Sequence, residues 1–120
     1  MFIDASALTA MVAGEPEAAE FLSRLQRSRR RVTSPVAVWE TSVAVARLLN
    51  FSIDESGKAV VKFLEIMEIE SVPIPPEATA LALDAFNRYG KGRHPARLNM
   101  GDCFAYACAL HFRQPLPIWP

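Results

Sequence analysis

The sequence lacks an excess of either charge: 13 Lys and Arg balance 13 Asp and Glu over 120 residues. A molecule-wide positive field is therefore excluded, and any grip on nucleic acid has to come from a local basic patch. Cysteine is scarce. Cys103 and Cys108 stand alone and form no CxxC pair. On a helix they point to different sides, which predicts reduced core thiols in a cytoplasmic protein rather than a disulfide or a metal pair. No run of about 18 uncharged apolar residues is present to span a membrane. The opening MFIDASAL has no basic leader ahead of an apolar stretch, so no secretory signal is expected. Histidine is equally scarce, and His94 and His111 lack the paired spacing of metal ligands. With no repeat, low-complexity tract or linker, a single domain over residues 1–120 is expected.

What is there reads as alternating short strands and helices. MFID is a short buried strand ending on an acid. Ala5 to about Ala13 follows as a helix broken by Gly14. EPEAAEFLSRLQRS places acids early and arginines late, the charge order a helix dipole favours, with Ala18, Phe21, Leu22 and Leu25 on one face. Arg31 to Thr33 is a strand candidate. Ser34-Pro35 opens a helix that Asn50 ends, with Val36, Trp39, Val43 and Ala46 as its expected buried stripe. Asp54 is expected to cap a helix through Met67, with Val60, Phe63, Leu64 and Met67 inward. Ser71 to Ile74 reads as a strand and Glu77 to Tyr89 as a helix. After the basic loop GKGRHPAR comes the apolar helix of LNMGDCFAYACAL. The alternation predicts an α/β fold with a mainly parallel sheet.

Three acids sit in unusually apolar company. Asp4 ends the first strand, where α/β sheets tend to place ligands. Glu40 follows Trp39 beside the expected stripe of its helix, and Asp102 opens the apolar helix. Each has a plainer reading as well. Asp4 caps the next helix, Glu40 reaches solvent or pairs with Arg47, and Asp102 exchanges capping bonds with Asn99. Read together, carboxylates brought close repel unless a cation joins them. A hard divalent ion such as Mg²⁺ takes oxygen ligands, keeps several waters and activates one of them.

The blocks MFIDASAL, GEPEAAEF, VAVWETSV and YGKGRHPARLNMGDCFAYACAL together resemble PIN-domain proteins of the VapC type, the toxin half of toxin–antitoxin pairs. The resemblance implies a three-layer α/β/α domain with a short, mainly parallel sheet. It also implies an endoribonuclease dependent on Mg²⁺ or Mn²⁺, an antitoxin of the VapB type that blocks the site, and a homodimer. Residue by residue, Asp4, Glu40 and Asp102 match the family's first three acids, as catalytic residues and metal ligands. Ser6 matches a small hydroxyl beside the first acid, and Asn99 the polar residue of the LN.GD motif, orienting the third. The chain departs from the pattern at its end. Family members continue into an apolar strand, a glycine and a fourth acid, whereas RQPLPIWP contains none, and the last strand is expected to be shortened or irregular.

Lys91, Arg93, His94 and Arg97 lie just before the third acid and are expected to contact RNA phosphates. Arg27, Arg29, Arg30 and Arg31 read as a solvated helix end. Phe2, Phe63, Phe86, Phe104 and Phe112 read as core. The expected function is metal-dependent hydrolysis of RNA phosphodiesters. The rival, motivated by the missing fourth acid, is an impaired PIN-like protein that only binds an antitoxin or dimerises.

Overall fold

Alternation over the first residues sets the architecture. Met1 and Ile3 enter one apolar cluster, while Phe2 enters another on the opposite side, as the two-residue period of extended chain requires. The computed structural model describes residues 1–116; residues 117–120, and with them the end of the expected last strand, lie outside the described residues.

The central sheet is short and parallel. β1 (Val32–Thr33) pairs with β2 (Glu70–Ser71), Val32 opposite Glu70. Phe2 joins the other edge of β1 through a parallel bridge to Val32. The Ile3 N–H donates to the Val32 carbonyl at 2.8 Å, and the Val32 N–H donates to the Met1 carbonyl at 3.0 Å. Beyond Phe2, its N–H donates to the Pro115 carbonyl at 2.9 Å. Among the described residues the segment after the last helix forms no strand.

Among the described residues six helices flank this sheet. α1 (Ala5–Ala13) stops at Gly14, whose φ of 71° is the left-handed conformation that glycine adopts at low cost. α2 (Ala18–Gln26) follows. α3 (Pro35–Leu49) is capped by Ser34, which accepts from the Ala37 N–H, and ends at left-handed Asn50. α4 (Ile53–Ile66), α5 (Ala78–Tyr89) and α6 (Met100–His111) complete the set. Met1 and Ile3 pack with Leu8 and Met11 of α1, Leu25 of α2, Ala37 of α3 and Leu64 of α4. Phe2, Val32 and Val72 pack on Ala105, Cys108 and Ala109 of α6. Behind α6 lies α5, joined through Ala78, Ala82 and Ala85 against Cys103 and Ala107. Helices thus cover both faces of the sheet, in three α/β/α layers. Both cysteines are buried, unpaired, and on different sides of α6. Among the described residues no single helix is long and apolar enough to cross a membrane.

Several expectations need correction. The buried face of α3 is Ala37, Thr41, Val45 and Ala46, and Trp39 is 67% exposed. Small residues one turn apart let α3 come close to α1, and the Thr41 hydroxyl is satisfied by donating to the Ala37 carbonyl at 2.7 Å. The cap of α4 is Ser52, in a reciprocal box with Glu55, so Asp54 falls in the first turn. The second strand begins at Glu70 rather than Ser71, because the Glu70 N–H donates to the Arg31 carbonyl at 2.9 Å. Phe86 is exposed rather than core, with the Arg93 guanidinium over its ring. Arg31 is not merely solvated, since it donates to the Met67 carbonyl at the end of α4.

Candidate active site

Two residues at the end of β1 position the first two acids. The buried Thr33 hydroxyl donates to the Ile3 carbonyl at 2.7 Å, fixing the chain just before Asp4. Its neighbour Ser34 caps the helix that carries Glu40. Asp4 is the N-cap of α1, with Oδ1 accepting from the Ala7 N–H at 3.1 Å. It is only 5% exposed. Burial pushes its carboxyl up to about 6. The negative charge of Asp102 adds to the rise, and the hydrogen bond from Ala7 opposes it.

Asp102 comes from the first turn of α6. Its Oδ2 accepts from the Asn99 N–H at 3.0 Å, while the Asn99 side-chain oxygen accepts from the Asp102 N–H at 2.9 Å. This reciprocal box engages one carboxylate oxygen and sets the direction of the other. Asp4 and Asp102 share a cleft of about 240 Å³, walled by Ala96, Leu98, Ala105, Tyr106 and Leu116. Tyr106 stands one helical turn after Asp102, a relation its spacing alone would have suggested.

Glu40 reaches this pair from α3, and its carboxylate lies against Gly101. Its carboxyl is raised first by burial, then by the charges of Asp102 and Asp4. Glu40 also forms one side of a larger groove of about 560 Å³, which Ser6, Glu15 and Phe21 line. Ser6 is thus an exposed neighbour of Glu40 and is not in the aspartate cleft. The three acids face one another without closing on a common point. Among the described residues no three acidic, histidine or cysteine side chains are gathered tightly enough to hold an ion unaided. The donor chemistry nevertheless fits a hard divalent ion: oxygen ligands only, and mutually repelling.

A PIN-domain model matches residues 1–116 of the chain. The chain belongs to the PIN-domain family. Curated relatives agree. A VapC ribonuclease of Mycobacterium bovis is 34% identical over 116 residues, covering 97% of this chain and 86% of that protein. A VapC ribonuclease of Rhizobium meliloti is 35% identical over 120 residues, covering 90% of this chain and 84% of that protein. One from Mycolicibacterium smegmatis is 34% identical over 116 residues, covering 97% and 88%.

In this PIN domain the basic loop forms one lip of the aspartate cleft, through Ala96 and Leu98. Backbone bonds close the loop, from Lys91 N–H to the Leu98 carbonyl (3.0 Å) and from Leu98 N–H to the Tyr89 carbonyl (2.9 Å). Its four basic side chains are exposed but not equivalent. His94 is built into the loop: Nδ1 accepts from the Ala96 N–H at 3.0 Å, and the ring meets Tyr89 edge-on. Arg93 lies over Phe86 and donates to Asn87. Lys91 and Arg97 make no side-chain bond among the described residues and are the freest to meet an anion.

Proposed function

We propose that this PIN domain is an endoribonuclease of the VapC type that works with Mg²⁺ or Mn²⁺ held by Asp4, Glu40 and Asp102. One observation carries this reading: three carboxylates from separate elements face one another, and burial and mutual repulsion hold Asp4 and Glu40 in an unfavourable ionisation balance. A cation relieves that imbalance. The relatives named ribonucleases support RNA as the substrate. A bound divalent ion would supply a polarised water and charge stabilisation at the phosphoryl oxygens. The protein's own part is positional. Asn99 aims Asp102, the α1 cap aims Asp4, and these two aspartates line the cleft where a proton would leave the attacking water. Lys91 and Arg97 hold the phosphates flanking the scissile bond, with Arg93 and His94 shaping the loop that carries them.

The partners in this reading are an antitoxin of the VapB type and a second copy of the chain, in the cytoplasm. Exposed apolar side chains offer them surface: Ile53 and Val61 beside one groove of α3 and α4, and Leu83, Phe86 and Met100 around one pocket of α5 and α6. Cleavage of mixed structured RNAs, with Mn²⁺, with Mg²⁺ and with EDTA, tests the enzyme. Cleavage that requires the metal and disappears in Asp102→Asn is expected. Well-folded wild-type protein that cuts none of these RNAs with either ion would overturn the reading in favour of a protein that only binds.

A further inference from the structure

We propose that Gly101 is a positioning residue: with no side chain in the first turn of α6, it leaves the space in which the Glu40 carboxylate lies beside Asp102. The inference rests on Glu40 being a member of the metal site. A Cβ built on Gly101 would fall inside contact distance of Cδ and both carboxylate oxygens of Glu40. Backbone conformation does not explain the glycine, because only Gly14 and Gly92 among the glycines have positive φ. Helix propensity argues against it, since glycine is the poorest helix former after proline. Gly57 provides an internal contrast. It also lies within a helix, yet a Cβ there would meet nothing within 4 Å. A glycine placed against propensity and roofed by a carboxylate marks a close approach, and the positive end of the helix favours that carboxylate.

The test is a double-mutant cycle of Gly101→Ala and Glu40→Ala, read without metal as Tm and then as Mn²⁺ affinity by calorimetric titration, with Gly57→Ala as control. Gly57→Ala is expected to raise Tm by about 3–6 °C. Gly101→Ala is expected to raise Tm by less than Gly57→Ala does while Glu40 is present, because the Glu40 carboxylate has to swing away, to raise it as Gly57→Ala does once Glu40 is Ala, and to weaken Mn²⁺ binding about 10-fold. If Gly101→Ala alone does not fold, the double variant must, because removal of Glu40 removes the clash; failure of both overturns the inference. An equal rise in Tm with Glu40 present overturns it as well. Coupling in Tm together with Mn²⁺ affinity unchanged in Glu40→Ala would overturn the metal reading of Glu40, and with it the positioning role, leaving only a packing contact.

Discussion

The amino ends of α1 and α6 each receive a carboxylate, but at different capping positions and different depths. Asp4 is itself the cap and lies almost fully buried in the wall of the cleft. Asp102 sits three residues inside its helix, half-exposed, and trades bonds with Asn99. Both therefore satisfy backbone donors that every helix leaves open. Burial pushes the Asp4 carboxyl up to about 6. Depth, more than position along the helix, sets the two apart: the buried acid strains against its charge. The capping interpretation of each aspartate is correct, and the helix cap itself engages one carboxylate oxygen of each.

The largest expected effect would erase the difference between the two ends. Asp4→Asn and Asp102→Asn should each reduce metal-dependent RNA cleavage by more than the roughly 100-fold that losing an outer-shell partner costs, measured as kcat/KM on one RNA. Stability should then separate them. Asn is as good a cap as Asp, so Asp4→Asn should stabilise the metal-free protein at pH 8 by up to about 3 kcal/mol in urea unfolding, roughly two pKa units at 1.4 kcal/mol each. An inactive variant that is more stable than its parent is the signature to look for.

The pH dependence follows from the same shift. Between the ordinary value of 3.8 and about 6, the folded protein holds a proton on Asp4 that the unfolded chain has released. Metal-free stability should thus fall as pH rises through that window and level off above it. Saturating Mn²⁺ should stabilise most above pH 6, where no proton competes with it. A flat metal-free profile between pH 4 and pH 6.5 would place Asp4 in a better-solvated setting than its burial indicates. Asn99→Ala should cost about 1 kcal/mol by removing the cap of α6. Asp102→Asn should cost least, about 0.5 kcal/mol, since at the rim it loses only a charge near a helix end.

Local chemistry was legible in the sequence at several positions where one residue decides the outcome, though the cap of α4 is Ser52 rather than Asp54. Gly14 ends α1, and Ser34-Pro35 starts α3, because left-handed backbone and fixed φ are properties of single residues. The buried face of α3 was not legible. Large apolar side chains suggested a stripe through Trp39, whereas close packing chose the row of small ones, Ala37, Thr41 and Val45. The acids could be named from their apolar neighbours, but their mutual approach could not. Glu40 meets Asp102 across the interval between α3 and α6, and the space for it is a missing side chain at Gly101. An absence of that kind leaves no mark in periodicity or composition.

The two thiols of α6 report on different seams of the molecule. Cys103 closes the boundary between α6 and α5, and Cys108 the boundary between α6 and the sheet, where burial lifts its thiol to about 11. Both are buried, Cys103 at 3% exposure beside a pocket and Cys108 at 0%, so each reacts with a disulfide reagent mainly as its own seam parts. Their labelling rates therefore clock two separate openings, helix from helix and helix from sheet, with no foreign probe introduced. The ratio of those rates tells which side of α6 peels away first.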